Sequence, residues 1–130
     1  MQESKESFHP KDWFMKADAD IRTAKILLPM GELGTASFHV QQALEKYLKG
    51  FLLGRGWSLK RTHDLVDLLN EAVAFDNAFE KFRSLCEMVT EFYVEDRYPF
   101  LMSSELNSNE IDEALKKTEE FLNFIKEKIR

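Results

Sequence analysis

The chain has one cysteine, three prolines and five glycines among its 130 residues. A single thiol, Cys86, cannot close an internal disulfide, so a reducing setting, the cytoplasm, is the expectation. Its three histidines, His9, His39 and His63, are scattered. They offer no zinc-ligand spacing, and neither a metal nor a cofactor is expected. No apolar run reaches the roughly 18 residues that a membrane span requires. The N-terminal MQESKESFHPKD lacks the apolar core of a secretory signal. Positive charge is not in excess, with 18 Lys and Arg against 23 Asp and Glu for a net charge of -5. That argues against a broad nucleic-acid surface, which rests on clustered cations, but leaves room for a small basic pocket. Nothing alternates with period two for long, so strands are not expected.

What the chain does contain is helical periodicity, strongest in SFHVQQALEKYLKGFLL, residues 37–53. At roughly 100° per residue, Val40, Ala43, Leu44, Tyr47, Leu48 and Phe51 share one side. Gln41, Gln42, Glu45, Lys46 and Lys49 share the other. Glu45 and Lys49 are spaced i,i+4, a surface ion pair worth roughly 0.2–0.5 kcal/mol. Phe38, Leu52 and Leu53 bracket the polar strip with large apolar groups. A helix of this kind sits centrally in a bundle, and its polar strip faces either a second subunit or a ligand.

Residues 1–10 are polar and expected to be flexible, and Asp12 is placed to cap the helix after Pro10. That helix carries Trp13, Phe14, Ala17, Ile21, Ala24 and Leu28 on one stripe and stops at Pro29-Met30-Gly31. Asp20 lies at the stripe's edge, as a boundary carboxylate or as a group orienting a site. The central helix starts around Gly34 or Thr35 and ends at Gly54 and Gly56, with Trp57 turned back onto the core. Thr62 is placed to cap a short third helix. His63, in its first turn, is either a local structural residue or a member of a site. A fourth helix runs from about Asn77 to Tyr98, before Pro99. It has Cys86 in its apolar stripe, and Arg97 near its end either holds an anion in its planar fork or complements the helix dipole. Residues 99–109 form a loop, and Ser108 or Asn109 caps a last helix with Ile111, Leu115, Leu122, Ile125 and Ile129 on its apolar stripe. The expected fold is all-α: a single domain over residues 1–130, built as an antiparallel up-and-down bundle of four long helices plus one short one.

The series WFMKADADIRTA, FHVQQALEKYLKGFLL, THDL and YVEDRYP resembles the HEPN domain, the helical domain of higher eukaryotes and prokaryotes described as nucleotide-binding. The likeness covers roughly Asp12 to Pro99, about two thirds of the chain. It implies a bundle that dimerises. It also implies a minimal nucleotidyltransferase as partner, in the manner of a toxin–antitoxin pair, with a nucleotide or RNA as ligand. Residues matching the pattern are Asp20, Gln42, Lys46, Lys49, His63 and Arg97, a set of carboxylate, amide, ammonium, imidazole and guanidinium suited to a phosphate or an acidic partner surface.

Many HEPN proteins are metal-independent ribonucleases, with an arginine followed four to six residues later by a histidine near the end of the fourth helix. Here no arginine has a histidine at that distance; Arg55 and His63 come nearest, with seven residues between them. The resemblance therefore implies a nucleotide-binding or nucleotidyltransferase-partner module with no catalytic residue assigned. Two alternatives stand beside it: a ribonuclease pairing Arg97 with His63 in space, and a purely structural dimer. A general base contributes roughly 10²–10⁴-fold to such a reaction. RNA incubated with the purified protein without metal is accordingly expected to stay intact on a denaturing gel. Cleavage abolished by Arg97→Ala or His63→Ala would establish the enzyme instead.

Overall fold

A computed structural model describes residues 9–58, 62, 64–97 and 106–129, with the backbone alone over 93–97. All regular structure among the described residues is helical. Helix α1 spans Pro10–Leu27 and α2 Leu33–Gly54, joined by a 3-10 turn over Leu28–Met30. Helix α3 spans Leu65–Phe75, a second 3-10 segment Asn77–Phe82, α4 Arg83–Arg97 and α5 Ser108–Lys128.

The helix starts differ from the sequence expectation in their capping residues. Helix α1 begins at Pro10, whose fixed φ suits a first helical position. Asp12 therefore falls in the first turn rather than before it. Helix α3 is capped by Asp64, whose Oδ1 accepts from the Val66 and Asp67 N–H groups at 2.9 and 3.1 Å. Thr62 instead accepts from the Asp64 N–H at 3.2 Å, one step further out. Helix α5 is capped by Asn107, not by Ser108 or Asn109. The expected fourth helix is divided: Asp76 caps a 3-10 segment through the Ala78 N–H, 3.0 Å away, and α-geometry begins at Arg83. Residues 98–105, with most of the expected loop, lie outside the described residues, as do residues 1–8.

Contacts between side chains set the directions. Gly54 faces Pro10, Gly50 faces Phe14, Tyr47 meets Asp18 and Lys46 meets Asp20. Numbers fall along α2 as they rise along α1, so the two are antiparallel. Tyr47 lies 6.5 Å from Phe121, and Arg55 Nη2 donates to the Lys128 carbonyl at 2.9 Å. Numbers rise together there, so α5 runs parallel to α2. Lys25 pairs with Glu119 and ties α1 to α5.

Helix α2 supplies more of the core than any other element, with Ala36, Val40, Ala43, Leu44, Tyr47, Leu48 and Leu52 fully buried. At one end Phe51, Phe79, Phe82, Phe121 and Phe124 interlock, Phe51 against Phe79 at 4.5 Å and Phe82 against Phe121 at 4.7 Å. Most of these pairs are edge-to-face, the arrangement the ring quadrupole favours. Trp57 folds back into the core, as its sequence position suggests. Gly56, at φ +88°, makes that return possible. Cys86 is buried among these apolar groups, which push its thiol up to about 12. It is a core residue without thiolate character at neutral pH.

The α1–α2 contact is tightest at Gly50. A Cβ built there would lie 2.7 Å from Phe14 Cε1 and 3.0 Å from Cδ1. Alanine in mid-helix gains about 1 kcal/mol of propensity over glycine, whereas overpacking costs about 1–3 kcal/mol. Gly50→Ala is therefore expected to lower stability by about 1 kcal/mol in urea unfolding, and Phe14→Leu in the same chain to relieve that loss.

Candidate functional site

The polar strip of α2 divides into two parts with different surroundings. Glu45 and Lys49 are not on the surface, as their i,i+4 spacing in a polar strip suggested: they are 3% and 1% exposed. Lys49 Nζ donates to Glu45 Oε2 at 3.0 Å and stands 5.5 Å from the centre of the Trp13 ring. Helix α1 covers this flank, and periodicity alone does not show which flank a neighbouring helix will cover. Lys49 is thus enclosed in the bundle, where a ligand would have to displace Trp13 to reach it. Leu52 likewise belongs to the core and Leu53 is half-buried, so of the three apolar groups bracketing the strip only Phe38, at 47%, is well exposed.

The other part of the strip is accessible. Asp20, on α1, is itself buried and uses both carboxylate oxygens on α2. Its Oδ1 accepts from His39 Nδ1 at 2.8 Å, and its Oδ2 accepts from Lys46 Nζ at 2.7 Å. The side chains of His39 and Lys46 keep about a quarter and a fifth of their surface, 25% and 21%. Gln42 lies between them on the same stripe and is half-buried. Residues 39, 42 and 46 follow the i, i+3, i+7 rule, so one face of α2 presents all three.

Asp20 acts here as an orienting group. With Asp20 accepting at Nδ1, the ring's Nε2 is left as the other polar atom of His39. Lys46 uses one of its three donors on Asp20 and keeps two. A second contact lies next to it, where Tyr47 Oη donates to Asp18 Oδ1 at 2.6 Å. Burial first, and then Asp18, push the Tyr47 phenol well above its ordinary value of 10.0.

Of the sequence-derived candidates, the structure brings Asp20, Gln42 and Lys46 together and sets Lys49 apart inside the bundle. Arg97 closes α4, with its side chain outside the described residues, and His63 lies outside them altogether. Sequence reasoning missed His39. The usable signal was its spacing of seven from Lys46, together with the antiparallel offset that sets both opposite Asp20. Among the described residues no three metal-ligating side chains converge. An open groove of about 460 Å³ between α4 and α5, walled by Phe82, Leu85 and Phe124 and rimmed by Lys81, Lys117 and Glu120, contains none of the candidates.

An all-α bundle with a long central helix, carrying an oriented polar cluster where it meets its antiparallel neighbour, is the class of protein these features define. The chain belongs to the HEPN family: the model of the HEPN domain matches residues 10–129. Among solved structures it is similar to TT1696 from Thermus thermophilus, with a TM-score of 0.79 and 29% identity over 92% of this chain and 97% of that one. It is also similar to ST0689, an archaeal HEPN homologue, with a TM-score of 0.75 and 25% identity over 94% of this chain and 98% of that one. No curated protein matches the sequence significantly.

Two outcomes follow from these side chains. Glu45→Ala leaves the Lys49 ammonium buried without its carboxylate, and breaking a buried pair costs about 3–5 kcal/mol. Chemical unfolding should show a loss of that order, largely recovered in Glu45→Leu/Lys49→Met. For Tyr47, the folded protein retains a proton that the unfolded chain releases near pH 10, so its contribution to stability is complete below that pH and is lost as pH rises above it. The fall in melting temperature between pH 9 and 11 should be shallower in Tyr47→Phe.

Proposed function

We propose that this HEPN domain is a binding module that takes up a nucleotide on the accessible strip of α2. The observation that carries the reading is the bridging of Lys46 and His39 by Asp20. It holds an ammonium with two remaining donors beside the Gln42 amide on a half-buried face. A phosphate accepts from such groups through charge-assisted hydrogen bonds, and Lys46 supplies the point charge. Asp20 offsets part of that charge, which suits reversible binding of a small anion better than capture of a long polyanion. The domain works in the cytoplasm as a homodimer, one partner of a toxin–antitoxin-like pair.

A docked minimal nucleotidyltransferase is a second reading, favoured by the outer face of α1. Met15 and Ile26 are 63% and 65% exposed there, with Met30 at 67% just beyond the helix end. At 100° per residue Met15, Ala19, Arg22 and Ile26 share one line on that face, two large apolar groups with an arginine between them, and exposed apolar groups of this kind mark interaction surfaces.

Titration calorimetry with AMP tests the first reading. Lys46→Ala is expected to weaken binding by about 1.5–3 kcal/mol, the range for a hydrogen bond to a charged group. Lys49→Met is expected to change binding little while lowering stability. Loss of AMP binding in Lys49→Met with Lys46→Ala unaffected would overturn the assignment of the site. Co-purification with a nucleotidyltransferase, lost in Met15→Glu/Ile26→Glu, would establish the second reading.

A further inference from the structure

We propose that Phe38 is a base-stacking platform at the edge of this strip, so that the ligand is read as a nucleoside phosphate and not as a phosphate alone. The inference rests on the nucleotide-binding reading and adds to it the part of the ligand that sets specificity.

Phe38 is 47% exposed although it directly precedes His39 on the central helix. Its ring meets the His39 imidazole edge-to-face, with centroids 5.3 Å apart and planes at 79°. The pair fixes the orientation of the phenyl ring, and an edge-to-face contact occupies only part of one ring's surface. Every nucleobase has a π-face that can stack on such a ring, whatever its hydrogen-bonding edge. From Phe38 to Lys46 the helix rises by about 12 Å, at 1.5 Å per residue. An aromatic surface, an imidazole, an amide and an ammonium thus follow one another within little more than two turns.

A second observation lies on the other flank of Phe38, away from His39 and Lys46. Gln41 stands three residues from Phe38, a neighbouring position on the helix surface. Its Oε1 is enclosed and has no hydrogen-bond partner among the described residues. An enclosed acceptor without a partner calls for an explanation. Rotation of the half-buried Gln41 amide toward the face of Phe38 would give it one in the exocyclic amino group of a stacked base. The exposed Phe75, at 50%, has no such setting: it ends α3 at Asp76, the cap of the next segment.

The experiment compares two probes that carry the same phosphate, AMP and ribose 5-phosphate, by titration calorimetry at one pH and one ionic strength. AMP is expected to bind at least about ten times more tightly than ribose 5-phosphate. Phe38→Ala is expected to weaken AMP by about 5- to 150-fold, the value of one stacked base, and to leave ribose 5-phosphate unchanged. Phe38→Leu, which keeps apolar bulk without a ring, should behave as Phe38→Ala does, and Phe38→Trp should retain the parent affinity. Melting temperatures of the three variants should lie close to that of the parent, since the ring is half-exposed.

Equal affinities for the two probes would overturn the platform while leaving the phosphate-binding reading standing. Equal weakening of both probes in Phe38→Ala would do the same. If neither probe binds at millimolar concentration, the nucleotide-binding reading fails, and the platform with it.

Discussion

The bundle depends on the close approach of α1 to α2, which is possible because Gly50 presents bare backbone to the Phe14 ring. Around that point Pro10 reaches Gly54, and Asp18 and Asp20 reach Tyr47 and Lys46. Had Gly50 carried a side chain, the two helices would stand further apart. The short bonds from Asp20, each under 3 Å, would then lengthen with the whole hairpin. Interiors are packed densely enough that such a displacement is not absorbed locally. The geometry of the candidate site is therefore inherited from an apolar contact some distance along the same pair of helices.

Three charged arrangements on one helix show how surroundings decide what a polar residue does. Lys49, enclosed with Glu45 and next to Trp13, is a structural cation whose removal exposes a desolvation penalty. Lys46, only three residues before it, has the same chemistry but shares Asp20 with His39 and remains accessible. Tyr47, between them, carries its hydroxyl to Asp18 and stays protonated because burial disfavours the phenolate. The candidate site is thus the part of the strip that α1 leaves uncovered.

Helix periodicity, the apolar stripe of α1, the placing of Cys86 in the core and the return of Trp57 were all legible in the residues, because each follows from local spacing or from one strong breaker. Caps were legible only to within a few residues. At the start of α3, Thr62 and Asp64 are both competent caps. Asp64 takes the position because its carboxylate reaches two free N–H groups at once. The strip was legible as polar, but its division was not. Whether Lys46 or Lys49 ends up covered depends on where Trp13 lands, which is a matter of packing between side chains on two different helices, Trp13 on α1 against Lys49 on α2.

From its own pattern the sequence determines an all-α chain, the apolar stripes of its helices and the family to which it belongs, since these rest on periodicity and on contiguous motifs. Only the tertiary structure decided that Asp20 bridges His39 and Lys46, that Glu45 and Lys49 are buried, and that Phe38 is left beside His39 with nearly half of its surface open. Burial and pairing are properties of the distance between helices. That distance is set by the side chains at their contact, and no single helix encodes it alone.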